Sequence, residues 1–159
     1  KNIKIAQREA LMWGTIQQDA INFGNILHEI MAFIHTKDDV DLAIQKATEL
    51  GLITFSQNAI FKETIDKIVN HEELISFFDA DAKVYNEQNI IKKATKNSKP
   101  DRVVIKDNVA YLLDYKTGEK HNKHKAQLEE YELALQEMKY TVAKKALIYI
   151  GESIEIVTL

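Results

Sequence analysis

The stretch that decides the fold is "KPDRVVIKDNVAYLLDYKTG", residues 99–118. Two runs rich in β-branched and aromatic residues flank Asp107 and Asn108, which are residue types that tolerate the positive φ of a tight turn. The pattern predicts an antiparallel β-hairpin. Its second strand ends in an acid and a base, Asp114 and Lys116. This pair predicts either an exposed ion pair at a strand end or part of a metal-dependent active site.

The turn also predicts which residues face each other across the hairpin. If the Asp-Asn pair occupies the two central turn positions, Lys106 pairs with Val109. Counting outward, Asp101 then pairs with Asp114, with its side chain on the face of Val103. Opposed side chains have Cβ atoms about 4.5–5.5 Å apart, so two carboxylates there repel each other unless a cation lies between them. A turn one residue longer would put the two acids on different faces.

A hard divalent cation would relieve this repulsion. Mg²⁺ prefers oxygen ligands and commonly uses one or two carboxylates together with water and substrate phosphate. Lys116 is predicted on the same face as Asp114, where its ammonium could orient a water or neutralise charge that develops on phosphorus. The hairpin end therefore indicates a metal-plus-cation site for phosphoryl chemistry. A surface ion pair between Asp114 and Lys116 is the alternative.

The rest of the chain predicts an α/β fold with a central mixed β-sheet flanked by helices. Apolar residues at helical spacing predict three helical segments, over 15–35, 37–51 and 57–78, the last with a break near Asn70. Strand patterns follow over 82–91, in both halves of the hairpin, and in two runs around Gly151-Glu152. A helix is predicted over 122–140, with one face formed by Leu128, Tyr131, Leu135 and Met138.

Composition and charge exclude some classes of site and favour others. The absence of cysteine excludes disulfides, thiolate zinc sites and cysteine-bound iron–sulfur clusters. The absence of cysteine also suits a cytoplasmic location. No apolar run approaches the roughly 20 residues of a membrane helix, so no membrane contact is expected. Residues 36–82 carry ten acids against four lysines, whereas 83–125 carry eleven basic residues against five acids. The segment 92–99, with four lysines, predicts either a phosphate-attracting surface or a solvated loop.

Four short motifs occur in an order that a known family shows. They are GNILHEIM at 24–31, KPDRVVI at 99–105, LLDYKTG at 112–118 and QLEEY at 127–131. Together they resemble the RecB-like branch of the PD-(D/E)XK nuclease superfamily, in particular the nuclease domains fused to the C-terminal end of UvrD-like superfamily 1 recombination helicases. Independently of the family, Gly24 and His28 share one helix face, and a glycine there allows a close approach of another part of the chain.

The resemblance implies roles for individual residues. The implied metal ligands are His28, Asp101, Asp114 and the backbone carbonyl of Tyr115. Asp101, Asp114 and Lys116 are the implied catalytic residues, with Lys116 positioning the attacking water. Two further residues, Gln127 and Tyr131, are implied to line the site or to touch DNA.

Residues around these motifs are further candidates. Arg102 is predicted to face away from Asp101, where it would pair with an acid or meet DNA. The candidate phosphate contacts are Thr117, Lys120 and Lys123. The stretch HNKHK at 121–125 is predicted to help bind a phosphate backbone, and a zinc site is the less favoured alternative. Glu87 is a candidate near the metal or a solvated strand residue.

The function that the resemblance implies is a Mg²⁺- or Mn²⁺-dependent DNA nuclease without an iron–sulfur cluster. Its expected setting is bacterial double-strand-break repair and recombination in the nucleoid-associated cytoplasm, with DNA and helicase domains as partners. Exonuclease action is expected, with endonuclease action as the alternative. Residues 1–159 would form one nuclease domain of a larger helicase–nuclease, with a helical region over about 1–78 and a restriction-endonuclease-like core over about 79–159. A catalytically silent module that binds DNA or docks in a helicase assembly is the competing hypothesis.

Overall fold

A computed structural model describes residues 2–4, 16–86, 100–151 and 153–159. These residues contain one six-stranded β-sheet, and its strands are β1 Asn2–Lys4, β2 Lys83–Asn86, β3 Arg102–Lys106, β4 Val109–Thr117, β5 Thr141–Ile150 and β6 Ser153–Thr158. The strand order is β1-β6-β5-β4-β3-β2. Strands β4 and β5 run parallel and the other neighbours antiparallel, so the sheet is mixed, as the sequence predicts.

Four α-helices accompany the sheet within the described ranges: α1 Ile16–Met31, α2 Val40–Glu49, α3 Asn58–Val69 and α4 Asn122–Glu137. Short 3₁₀ turns occur at Lys37–Asp39, Phe55–Gln57 and Ile75–Phe78. The predicted break at Asn70 is confirmed, because that residue caps the C-terminus of α3. None of these helices is long and apolar enough to cross a membrane.

The hairpin and its register are confirmed. Asp107 and Asn108 have φ angles of 51° and 64°, the left-handed conformation that a two-residue hairpin turn requires. Lys106 pairs with Val109, and the pairing runs in the predicted register as far as Arg102 and Leu113. The two acids at the open end of the hairpin are therefore brought to opposite strands at the same level.

The sheet separates two apolar cores. On one face lie α1, α2 and α3, which we call the helical layer, and they pack against strand residues such as Val104, Leu113 and Ile148. On the other face α4 packs against residues such as Val103 and Leu112. Alternate residues of β3 and β4 thus serve different layers, as expected for a sheet covered on both sides.

Three predictions need correction or restriction. Met138 is 44% exposed, because α4 ends at Glu137 and Met138 only caps it. Strand β1 was not predicted, since three residues carry little periodic signal. The strand predicted over 82–91 is seen at Lys83–Asn86; Ala82 lies just before it, and 87–91 lie outside the described residues.

Candidate active site at the open end of the hairpin

Asp101 and Asp114 meet where β3 begins and β4 ends. The backbone N–H of Asp101 donates to Asp114 Oδ1 at 2.8 Å, and the N–H of Tyr115 donates to Asp101 Oδ2 at 2.8 Å. Pro100, just before, carries no N–H, so it cannot donate a further bond to the β3–β4 ladder. The Asp101 carboxylate therefore turns along the backbone of β4, and does not simply project beside Val103 as predicted.

The Asp114 carboxyl occupies an unusual electrostatic position. Its side chain is 2% exposed. Burial, followed by the neighbouring carboxylate of Asp101, raises the pKa of Asp114 to about 7. The ammonium of Lys116, 3.5 Å from Asp114 Oδ2, acts in the opposite direction but is outweighed. A buried acid beside a second acid is the arrangement that a bound cation relieves.

His28 reaches the same point from the helical layer. Its Nε2 lies 2.8 Å from Asp101 Oδ1, and its ring packs edge-on against Tyr115 with centroids 5.5 Å apart. His28 lies in the last turn of α1. Helix α1 thus brings an imidazole to the Asp101 carboxylate at the end of the hairpin.

Gly24 allows α1 to lie this close to the strand ends. A Cβ atom added at Gly24 would be 2.6 Å from Thr117 Cγ2 and 3.1 Å from Ile150 Cγ2. Real Cβ atoms essentially never come within 3.0 Å of another heavy atom. The close approach predicted from the glycine is therefore present, and side chains of β4 and β5 make it.

Lys116 is held by two side chains at the edge of the site. Its Nζ donates to Gln127 Oε1 at 2.7 Å and lies near Asp114, as given above. Gln127 belongs to α4, so the lysine bridges the sheet and the helix. An ammonium has three donors; one goes to Gln127, and a second can face the Asp114 carboxylate at 3.5 Å. The third is directed to neither and can serve a substrate. The ion pair of Lys116 and Asp114 is largely buried, so the alternative of an exposed surface pair does not hold.

Of the two roles predicted for Arg102, the DNA contact does not fit the structure. Its side chain is fully buried and donates to three backbone carbonyls, those of Phe77, Ile34 and His35. The guanidinium also lies 4.3 Å from the ring centroid of Phe78. The face assignment was right, but the groups Arg102 meets there are carbonyls at the ends of helical segments. A DNA contact is excluded by this burial.

The other predicted contacts divide between core and surface. Tyr131 is fully buried in the α4 core, beneath the site and away from its surface. Thr117 and Lys123 are exposed near the N-terminal end of α4, and Lys120 pairs with Glu155. The two lysines thus lie on the α4 side, whereas the methyl group of Thr117 faces Gly24 of α1.

Two residues of this rim were missed or only partly identified from the sequence. Tyr149 of β5 is the direct neighbour of Lys116 in the parallel pairing. The Nδ1 of His124 lies 3.1 Å from the Tyr149 hydroxyl. The motif HNKHK identified His124 as a candidate residue. Nothing local in the sequence links Tyr149 to Lys116, because the register of the parallel pair β4–β5 depends on how α4 packs.

The donor chemistry at the hairpin end fits a divalent cation. Two carboxylates and an imidazole converge there, and Mg²⁺ needs only one or two carboxylates from the protein. Within the described residues, no group of three or more His, Asp and Glu side chains is spaced as a preformed metal cage. His28 and backbone N–H groups currently occupy the carboxylate oxygens. Glu87 and the lysine-rich segment 92–99 lie outside the described residues.

Comparison of the sequence with models of known protein families gave no match, and comparison with curated proteins gave no significant match.

Proposed function

We propose that this chain is a Mg²⁺- or Mn²⁺-dependent DNA nuclease with a restriction-endonuclease-like core. The observation that carries the proposal is the meeting of Asp101, Asp114 and His28 beside a lysine held at 2.7 Å by Gln127. Acids that hold a cation beside a positioned ammonium suit hydrolysis of a phosphodiester, because both charge neutralisation and water positioning are needed. A role in recombinational repair, in the cytoplasm near the nucleoid and with helicase domains as partners, follows from the family resemblance.

The residues have separate tasks in this proposal. The metal would be held by His28, Asp101, Asp114 and the carbonyl of Tyr115. When bound, it supplies Lewis-acid stabilisation of the phosphate and lowers the pKa of water. The carboxylates accept hydrogen bonds from the attacking water and fix its orientation.

Lys116 acts on the substrate through an ammonium N–H that Gln127 does not accept. The ammonium donates a hydrogen bond to the attacking water or to a non-bridging phosphate oxygen, on which charge accumulates as the bond to the leaving oxygen breaks. Gln127 keeps the ammonium in place. Because Gln127 accepts from Lys116 without carrying charge, it positions the cation and leaves its charge available to the phosphate.

The surroundings favour a polyanionic substrate. Lys120 and Lys123 lie on the same rim as Lys116, while the excess of acids falls in the segment 36–82 of the helical layer. Basic residues on one side of a near-neutral chain attract phosphates and weaken in effect as salt rises. We therefore expect DNA to approach from the α4 side, and binding to fall with ionic strength.

The test is cleavage of labelled single- and double-stranded DNA by the purified chain, with and without Mg²⁺ or Mn²⁺. Asp114→Ala and Lys116→Ala should each lower the rate roughly a hundredfold or more, because each removes an electrostatic stabiliser of the reacting groups. Asp66→Ala and Lys67→Ala are matched controls, since they remove an acid and a cation from the exposed surface of α3. Equal rates for the site and control variants would contradict the proposal.

A catalytically silent DNA-binding module is the second candidate. It is favoured by the carboxylate oxygens of Asp101, both of which already contact protein groups, namely His28 and the N–H of Tyr115. DNA binding that is independent of metal, together with no cleavage under any metal, would select this candidate. Metal-stimulated cleavage that Asp114→Ala abolishes would eliminate it.

A further inference from the structure

His124 lies at the rim of the proposed site, one turn before Gln127 on α4. Residues three apart on a helix share a face, so His124 and Gln127 both point toward the sheet end. Below them, Tyr149 of β5 lies beside Lys116 of β4. The His124 and Tyr149 rings have centroids 5.7 Å apart. Two side chains of α4 therefore cover two adjacent strand residues, and Lys116 is one of them.

The contact with Tyr149 uses one nitrogen of the His124 imidazole. A phenol hydroxyl can donate a hydrogen bond as well as accept one. The acceptor within reach is Nδ1 of His124, at 3.1 Å. An imidazole that accepts at Nδ1 carries its proton on Nε2. In the described part of the chain this second nitrogen has no protein partner, and the side chain is half-buried.

Two lysines act on His124, Lys116 from β4 and Lys123 from the start of α4. The imidazole of His121 is the third group that acts on it. On the strand side the imidazole meets the hydroxyl of Tyr149, and Glu155 of β6, which acts on Tyr149, is paired with Lys120. Burial, followed by Lys116 and the two groups from α4, lowers the pKa of His124 from 6.5. No described carboxylate contacts the ring, so its surroundings are short of negative charge.

We propose that His124 contacts the nucleic-acid strand directly, donating from Nε2 to a phosphate oxygen of the phosphodiester next to the one approached by Lys116. This inference rests on the proposed DNA site. A purely structural His124 would need only the bond to Tyr149. The N–H on Nε2 at a half-exposed, cation-lined rim is what a phosphate oxygen accepts from, and the phosphate supplies the negative charge that the rim lacks.

The test measures binding apart from cleavage. Anisotropy of a fluorescein-labelled single-stranded oligonucleotide, with the wild-type chain in EDTA, gives the dissociation constant. His124→Ala should weaken binding roughly tenfold, as expected for a hydrogen bond to a charged group. His124→Gln, which retains an N–H donor, should recover most of the loss. His35→Ala removes an exposed imidazole from the helical layer and should change nothing.

The pH dependence separates a phosphate contact from a packing role. Because a phosphate favours the protonated ring, wild-type affinity should rise as pH falls from about 8 to about 6, more steeply than that of His124→Ala. Equal affinity and equal pH slope for wild type and His124→Ala would overturn the inference. A loss in His124→Ala that His124→Gln does not recover, accompanied by a lower melting temperature, would also overturn it.

The outcome can be told apart from that of the proposed nuclease. Wild-type cleavage with unchanged binding and KM in His124→Ala would defeat this inference alone. Absent cleavage with His124-dependent binding would defeat the hydrolysis and retain the phosphate contact. Where both hold, His124→Ala should raise KM roughly tenfold with little change in kcat, because the contact forms on a phosphate that does not react.

Discussion

Arg102 on the helical-layer face and Lys116 on the α4 face lie near the same end of the hairpin. Arg102 is fully buried and donates hydrogen bonds to backbone carbonyls. Lys116 is held by a side-chain amide and lies beside a carboxylate, with its side chain 20% exposed. Arg102 joins the sheet to the backbone of the helical layer. Lys116 is held by its neighbours and remains partly accessible to solvent. Burial and partner type therefore distinguish the cation that joins two layers from the cation to which we assign a role in the proposed function.

The largest expected effect tests the structural side of this comparison. Arg102→Met should lower the free energy of unfolding by about 3–5 kcal/mol, because buried carbonyls at the ends of two helical segments lose their donor. Urea unfolding measures the change. The matched control is Lys106→Ala on the same strand, which removes a half-exposed ion pair with Asp79 and should cost under about 1 kcal/mol. Similar losses in both variants would refute the assigned role of Arg102.

The buried carboxyl of Asp114, beside Lys116, is tested by a substitution that should raise the free energy of unfolding. Its folded-state pKa of about 7 lies above the ordinary value of 3.8. The carboxyl therefore contributes stability fully below pH 3.8 and loses it as pH rises through 7. Asp114→Asn should thus stabilise the metal-free chain by about 2–3 kcal/mol at about pH 8, with a smaller gain near pH 5.

Urea unfolding in EDTA at both pH values measures this gain. Asp79→Asn is the control of opposite sign, because the N–H of Asp81 and the ammonium of Lys106 lower the pKa of Asp79. That variant should gain nothing as pH rises. If Asp114→Asn proves less stable than wild type at the higher pH, the buried acid is not a source of strain.

Gly24 tests the close contact between α1 of the helical layer and the ends of β4 and β5. Gly24→Ala should destabilise the fold by about 1–2 kcal/mol, since overpacking against Thr117 exceeds the helix-propensity gain of about 1 kcal/mol. Thr117→Ser removes the methyl group that clashes. A double-mutant cycle should therefore show that the alanine costs less in the Thr117→Ser background. Independent, additive effects would show that another contact limits the approach of α1.

The smallest expected effect concerns the positioning of Lys116. Gln127→Met keeps the length of the side chain but removes the acceptor, so kcat should fall roughly three- to tenfold with KM and unfolding free energy little changed. Gln136→Met, on an exposed part of α4, is the matched control. A change confined to KM would assign Gln127 to substrate binding in place of positioning.

Local chemistry made much of the hairpin predictable. Asp107 and Asn108 permit a two-residue turn, and that turn alone fixes which residues oppose each other as far as Asp101 and Asp114. The helices were predictable for a similar reason, because their apolar spacing is read within a few turns. Met138 was misplaced since its burial depends on where α4 ends, and helix ends carry a weaker signal than helix interiors.

The sequence by itself determined the hairpin, its register, the mixed α/β class and the identity of the residues that could hold a metal. Tertiary structure alone decided that His28 meets Asp101, that Gln127 holds Lys116, that Tyr149 lies beside it, and that Arg102 is buried. The physical reason is the distance along the chain over which each interaction acts. A turn acts on neighbours in the chain, whereas these contacts depend on how α1 and α4 pack on opposite faces of one sheet, which no short stretch of sequence encodes.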